Sequence, residues 1–134
     1  MLKILQPDGW AQPKGYANGI AGRGQIIVLG GQIGWDADQQ FQTDDFVEQT
    51  EQTLQNIVAL LAQAHAGPEH VVRLTWFITD REAYLANQQG LGAAYRRVMG
   101  RNFPTMSVVQ VVQLVEERAL VEIEATAILP DSSA

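Results

Sequence analysis

The sequence contains no cysteine, few basic residues and no long hydrophobic run. Its 134 residues include 9 Lys and Arg against 15 Asp and Glu, which gives a formal net charge of −6. Without Cys, the chain excludes thiol catalysis and zinc–thiolate or iron–sulfur sites. Phosphate contacts supply most of the non-specific affinity for nucleic acids, and the basic residues here form no cluster, so we expect no nucleic-acid partner.

The absence of targeting segments and the chain length predict one soluble domain. No apolar run approaches the roughly 18 residues of a membrane span, and residues 1–5 are shorter than the roughly 7–15 apolar residues of a signal peptide. We therefore expect a cytoplasmic protein with no membrane partner. Residues 1–134 are expected to form a single domain with a flexible tail at 130–134, and no cofactor is expected.

Glycine is frequent in the first third of the chain, where it separates short apolar runs. Residues 16–20 and 26–29 flank the glycine-containing segment 21–24, which predicts a β-hairpin. The second strand of this hairpin is expected to close at residues 30–34. That segment lacks the Gly-Lys-Ser/Thr ending of a phosphate-binding loop.

Two helices and a strand are predicted in the middle of the chain. Apolar residues recur at steps of three and four from Val47 to Ala64, a helical pattern that Asp45 can cap and that residues 67–68 stop. Residues 71–78 are β-branched and aromatic, which favours a strand. A second helix is predicted from Thr79 to about Met99, with a capping box formed by Thr79 and Glu82.

The last third is predicted to form strands at residues 107–114 and 120–129. Alternation places Val121, Ile123, Ala125 and Ala127 on one strand face and Glu122 and Glu124 on the other. The predicted order is β-β-α-β-α-β-β, and helices with one apolar stripe each must lie on one side of the sheet. We expect the other side, with Val72, Leu74 and Trp76 near the two glutamates, to be a subunit interface.

Residues 103–114, Phe-Pro-Thr-Met-Ser-Val-Val-Gln-Val-Val-Gln-Leu, and the later Val-Glu-Ile-Glu-Ala of 121–125 carry a resemblance to a known family. They are similar to the C-terminal signature of the RidA-like family of enamine/imine deaminases, also called the YjgF or L-PSP endoribonuclease family. Gly31-Gln32, the stretch from Thr50 to Ile57 and the Tyr95 region also match. The resemblance implies an α+β, chorismate-mutase-like fold with a mixed sheet, two helices on one face, and a homotrimer with an inner barrel of sheets.

The resemblance also implies a reaction, the hydrolysis of 2-aminoacrylate-type enamines and imines to 2-keto acids and ammonia in clefts between subunits. The family motif has an arginine where this chain has Met106. An arginine fork binds a carboxylate through two hydrogen bonds, whereas a thioether carries no charge. Gly30 and Val108 stand where active members often have serine and cysteine, and an asparagine expected early in the second helix falls on Gly92.

The site residues implied by the resemblance are Glu122 as the catalytic group and Tyr16, Gly30, Gly31, Phe103, Met106 and Val108 as substrate-binding residues. Glu122 is expected to position or activate a water. Two alternatives stay open: Glu122 and Glu124 can be solvated strand residues, and Tyr16 can be a packing residue. Arg73 and Arg101 are candidates to replace the motif arginine, while Arg96 and Arg97 are interpreted as a solvated helix face.

Three functions follow. The favoured one is a divergent hydrolase or deaminase that does not rely on arginine–carboxylate anchoring and acts on an imine, enamine or related small carbonyl compound without an obligatory carboxylate. The alternative is a non-catalytic module that binds a small metabolite. An endoribonuclease is least favoured because the chain is acidic and its basic residues are scattered. No metal site is expected, because neither His65 nor His70 has partners at ligand spacing.

Overall fold

The computed structural model describes residues 2–131. Its elements in chain order are β1 (Lys3–Leu5), β2 (Gly19–Ala21), β3 (Gln25–Ile33), α1 (Phe46–Ala62), β4 (Val71–Ile78), α2 (Arg81–Ala86), α3 (Gln88–Met99), β5 (Thr105–Gln110) and β6 (Val121–Leu129). Of the predicted tail at 130–134, Pro130 and Asp131 follow β6, and residues 132–134 lie outside the described residues. Within the described range, no helix is both long enough and apolar enough to cross a membrane.

The main sheet has four strands in the order β3-β6-β4-β5, and β1 and β2 form a separate two-stranded sheet. Strand β6 pairs antiparallel with both β3 and β4, while β4 and β5 run parallel. A parallel pair needs a long crossover, and α2 and α3 supply it. The mixed sheet with helices confirms the predicted α+β fold class.

The predicted hairpin between residues 16–20 and 26–29 is wrong. Strand β2 pairs with β1, and β3 pairs instead with the distant β6, from Gln25 opposite Leu129 to Ile33 opposite Glu122. The glycines between β2 and β3 carry the chain from one sheet to the other rather than into a tight turn. Pairing two nine-residue strands satisfies more backbone groups than a short local hairpin, so the long-range partner prevails.

Helix α1 begins where the sequence predicts. The Asp45 carboxylate accepts a hydrogen bond from the Glu48 amide at 2.9 Å and so caps the first turn. Leu54, Ile57 and Leu61 are fully buried on one face of the helix. This face packs against β3 and β6, and α1 also contacts α3.

The second predicted helix is two helices, and its predicted cap is off by one residue. Asp80, not Thr79, caps α2 by accepting the amides of Glu82 and Ala83. The helical path then breaks at Asn87, whose side chain donates to the Ala83 carbonyl at 2.7 Å. Such local side-chain bonds compete with the helical ladder. Gly100, with φ of 65°, ends α3 as predicted.

The predicted open face of the sheet was assigned in part to the wrong side chains. Leu74 and Trp76 are buried in the core, because they stand opposite Ala125 and Ile123, whose side chains also point to the helices. The irregular pairing between Val71 and Arg73 interrupts the simple alternation along β4. The face beside Glu122 and Glu124 therefore carries their register partners Phe77 and Thr75, not Leu74 and Trp76.

The last strands agree with their predicted positions only in part. Strand β6 begins at Val121 and keeps the predicted inward residues buried, namely Val121, Ile123, Ala125 and Ala127. Strand β5 ends at Gln110 instead of Leu114. The segment after it is a loop in which Val112 and Val115 are fully exposed.

Gln49 joins α1 to the loop before β6 and is completely buried. Its Nε2 donates to the Arg118 carbonyl at 3.0 Å and the Thr43 carbonyl at 3.1 Å. Its Oε1 accepts from the Leu120 amide at 2.9 Å. A buried polar group with several partners costs stability when it is removed, because the partners stay buried and unpaired.

We predict that Gln49→Ala lowers the free energy of unfolding by about 2–4 kcal/mol, because it removes the three hydrogen bonds of a buried side chain and leaves their partly buried backbone groups unpaired. Urea unfolding at a fixed protein concentration measures the change. Gln55→Ala, which removes an exposed glutamine from the same helix, is the control and should stay within about 0.5 kcal/mol of the wild type. Equal midpoints for the two variants would contradict this role of Gln49.

Candidate functional site

A cavity of about 350 Å³ opens between the sheet and helices α2 and α3. We call it the α3 cavity. Its apolar walls are Trp76, Tyr84, Leu91, Tyr95, Phe103 and Met106. Met106 reaches it because it stands opposite the buried Leu74 in the β4–β5 register and therefore points to the helix side of the sheet. An apolar cleft of this size suits a small organic ligand.

Aromatic pairs shape two walls of the α3 cavity. Trp76 and Tyr84 meet edge to face with ring centroids 6.4 Å apart, and Tyr95 stacks on Phe103 at 5.9 Å. The Tyr95 hydroxyl donates to the Asn102 carbonyl, and burial raises the pKa of Tyr95 well above its ordinary value. The phenol therefore stays protonated and serves packing rather than acid–base chemistry.

The Trp76 indole, which also lines this cavity, leaves one polar group without a partner. Its Nε1 is buried and donates no hydrogen bond within residues 2–131. Buried side-chain donors are paired in the large majority of cases. The β4 side of the cavity thus contains a polar group that the described part of the chain leaves unsatisfied.

Glu122 and Gly31 meet on the opposite face of the sheet. Strand β3 bulges at Gly30 and Gly31, because Leu29 pairs with Ala125 whereas Gln32 already pairs with Ile123. A Cβ at Gly31 would overlap the carboxylate of Glu122, so glycine leaves the room this carboxylate occupies. Within the described residues, the Glu122 carboxylate has no hydrogen-bond or ion-pair partner.

Tyr16 lies at the edge of the sheet. The Ala17 amide donates to the Pro104 carbonyl at 3.0 Å, which attaches the segment before β2 to the start of β5. A shallow depression there is lined by Tyr16, Arg73 and Met106, among others. Tyr16 remains 42% exposed, so its hydroxyl is open to a ligand or a partner.

The predicted site residues thus fall into two groups within one chain. Phe103 and Met106 share the α3 cavity, and Tyr16 lies beside Met106 at the sheet edge. Gly30, Gly31 and Glu122 lie at the β3–β6 pairing, with Glu122 on the other face. Val108 is partly buried against the core and does not line the α3 cavity.

The arginines named as replacements for the motif arginine occupy different surroundings. Arg73 borders the edge depression and donates to the Thr75 hydroxyl at 3.4 Å. Arg101 lines a separate depression, away from Met106. Arg97 pairs with Glu51 at 2.6 Å, and its hydrogen bond holds the pKa of Glu51 below the ordinary value. Of the two candidates to replace the motif arginine, Arg73 borders Met106 and Arg101 does not.

Sequence reasoning missed Arg96 as a residue of the site. It is exposed, as expected for a helix face, but it also lines the α3 cavity together with Lys14. A Cβ at Gly92 would lie 3.5 Å from Arg96 Nη1, so the guanidinium rests against the glycine one turn earlier. The four-residue spacing places Gly92 and Arg96 on one helix face, but it does not show that this face borders a cavity.

The histidines serve local structure. His70 Nδ1 accepts the Gly67 amide at 3.0 Å, in the turn between α1 and β4. His65 has a φ of 60° just after α1. Across residues 2–131, no group of three or more His, Asp or Glu side chains is placed to hold a metal ion.

Comparison with known proteins identifies the family. The model of the family described as endoribonuclease L-PSP matches residues 10–129. The RutC family protein slr0709 of Synechocystis is 33% identical over 96% of this chain and 98% of its own length. The RutC family protein UK114 of Drosophila melanogaster is 29% identical over 94% of this chain and 88% of its own.

Solved structures of Rid-family proteins are also similar to this chain. YyfB of Yersinia pestis, a Rid-family protein of unknown function, matches with a TM-score of 0.85 and 27% identity over 96% of this chain and 98% of its own. RidA from an Antarctic Psychrobacter matches with a TM-score of 0.68 and 25% identity, over 95% of this chain and 99% of its own. Together with the match over residues 10–129, these similarities show that the chain belongs to the RidA-like family, whose model is described as endoribonuclease L-PSP.

Proposed function

We propose that this chain is a cytoplasmic hydrolase that releases ammonia from small imines or enamines. It does so in clefts between the subunits of a homotrimer, without an arginine at position 106. The observation that carries the proposal is the carboxylate of Glu122, held over Gly31 on the open face of the sheet with no partner among the described residues.

The open face of the sheet supports the trimer. Ile26 and Val28 on β3 and Val109 on β5 are exposed by 67%, 73% and 44%. Apolar side chains grouped on an uncovered sheet face mark an association surface. In a closed ring, each copy presents this face to the next, which brings Glu122 of one subunit towards the Met106 edge of its neighbour.

The chemistry of C=N hydrolysis fits a carboxylate in such a cleft. Glu122 accepts a proton from a bound water while the water oxygen bonds to the imine carbon. The nitrogen of the adduct takes that proton, which gives the neutral carbinolamine. Glu122 then transfers the hydroxyl proton to the nitrogen as the C–N bond breaks, so that ammonia leaves and the carbonyl forms. The reaction consumes one water molecule and needs no other co-reactant.

A non-catalytic binding module is the second candidate. The apolar and aromatic walls around Met106 favour it, because they can hold a small molecule without any reactive group. An endoribonuclease is less well supported, although the family description carries that name. The chain has a net charge of −6, and RNA binding draws on clustered basic residues.

We predict that Glu122→Gln lowers imine hydrolysis by about 100-fold or more, because the amide cannot accept the proton from water. Two probes test this: benzophenone imine, which is neutral, and 2-imino-3-phenylpropanoate, generated from phenylalanine by an amino acid oxidase. Ammonia release is followed for each. Glu124→Gln, two residues along the same strand face, is the matched control and should retain activity.

The same assay separates the two candidate functions. If the wild type accelerates neither probe, the hydrolase is wrong and the binding module is favoured. Activity that survives in Glu122→Gln would show that another group moves the proton.

We also predict that Gly31→Ala lowers kcat by about tenfold or more, since small misplacements of a reacting group are costly. The added methyl overlaps the carboxylate and Cγ of Glu122, so this side chain must change rotamer, whereas the three nearest atoms include none of the backbone. The variant should therefore unfold at a temperature close to that of the wild type. Gly90→Ala, on α3, where a Cβ lies 3.4 Å from Val47, is the control and should leave kcat unchanged. A fully active Gly31→Ala variant would contradict the role given to this carboxylate.

A further inference from the structure

The α3 cavity has a charge opposite to that of the chain as a whole. The net charge is −6, yet the described residues that line the cavity include Lys14 and Arg96 and no Asp or Glu. Two cations at one opening, without a compensating carboxylate, create a local positive potential. A negatively charged ligand is therefore drawn to this opening rather than to the acidic remainder of the surface.

Arg96 has no charged partner among the described residues, in contrast to Arg81, Arg97 and Arg118. Arg81 pairs with Glu82 at 3.0 Å, Arg97 with Glu51 at 2.6 Å and Arg118 with Asp44 at 2.9 Å. Arg96 makes no ion pair and donates no side-chain hydrogen bond within residues 2–131. Its guanidinium is thus available to a ligand without first breaking a contact of the described chain.

Gly92 lies beside this guanidinium. The two residues are one helical turn apart, and the Arg96 Nη1 rests 3.5 Å from where a Cβ of residue 92 would stand. A longer side chain at position 92 would occupy this place on the cavity wall.

We propose that Arg96 is the anion-binding residue of the α3 cavity and that the site takes a small carboxylate with an apolar or aromatic body. The cationic group is supplied by helix α3 instead of by position 106, where Met106 contributes an apolar wall. The guanidinium holds the carboxylate through two parallel hydrogen bonds. The body of the ligand packs among Trp76, Tyr84 and Phe103.

This assignment rests on the proposed function for the role of the cavity as a ligand cleft, and it names the substrate class of that cleft. It predicts that anionic imines with an apolar body are preferred over neutral ones. It also assigns Arg96, rather than Arg73 or Arg101, as the residue that discriminates between them.

Calorimetric titration with phenylacetate and with its neutral isostere phenylacetamide tests the assignment without any turnover. In the wild type, phenylacetate should bind more tightly, and its affinity should weaken as salt is raised. Arg96→Gln should weaken phenylacetate binding by about tenfold or more and leave phenylacetamide binding unchanged. Arg101→Gln removes the same charge outside the α3 cavity and should change neither affinity.

Three results would overturn the assignment: no binding of phenylacetate to the wild type, equal binding of acid and amide, or unchanged phenylacetate binding in Arg96→Gln. Arg96 is exposed, so its variant should fold, and thermal unfolding checks this. The outcomes also separate this inference from catalysis. Weakened binding in Arg96→Gln without hydrolysis of either imine would refute only the hydrolase. Hydrolysis that depends on Glu122, with phenylacetate binding insensitive to Arg96, would refute only the anchor.

Discussion

The four-stranded sheet is covered by helices on one face only, and the arrangement of the site depends on this constraint. Helix α1 buries Leu54, Ile57 and Leu61 against the sheet, and α3 packs beside it. The opposite face keeps Ile26 and Val28 in contact with solvent. A single chain thus buries one face of its sheet. For the other face, a second copy of the chain is the simplest cover.

Because helices cover only one face of the sheet, the two charged groups of the proposed site lie on opposite sides of it. Arg96 lies on the helix side, at the α3 cavity, and Glu122 lies on the open side, over Gly31. Gly31 leaves the room that the Glu122 carboxylate occupies, and Gly92 lies beside the Arg96 guanidinium. In the proposed trimer the cation of one subunit and the carboxylate of another face a common cleft, so that one holds the substrate and the other activates water.

The sequence predicts those parts of the fold that depend on local patterns. The start of α1, the bounds of β4 and the inward face of β6 follow from capping by Asp45 and from apolar periodicity. The hairpin was wrong because β3 finds its partner about a hundred residues away, in β6. The break at Asn87 depends on one side-chain hydrogen bond, and the faces of β4 depend on irregular pairing near Val72. Neither the break at Asn87 nor the irregular pairing near Val72 changes the pattern of apolar residues in the sequence.

The site is less predictable than the fold. The family resemblance brings Phe103 and Met106 to one place, and the structure agrees. Arg96 cannot be assigned to a site from sequence, because a charged residue on a helix is ordinarily solvated. Its proposed role in ligand binding depends on a cavity that β4, α2 and β5 form together with α3. The separation of Glu122 from Met106 by the thickness of the sheet is likewise visible only once strand register is known.

In the proposed trimer each site is completed by two subunits, and the activity of mixed trimers measures this. Glu122→Gln removes the carboxylate, and Gly92→Trp fills the α3 cavity, so each variant alone should be inactive. The two are co-expressed with different tags, and trimers carrying both tags are isolated. If the halves come from neighbouring subunits, about one cleft in three is intact in every such ring, and about a third of wild-type activity returns. If both halves come from one subunit, the mixed trimers stay inactive, and a site shared between subunits is excluded.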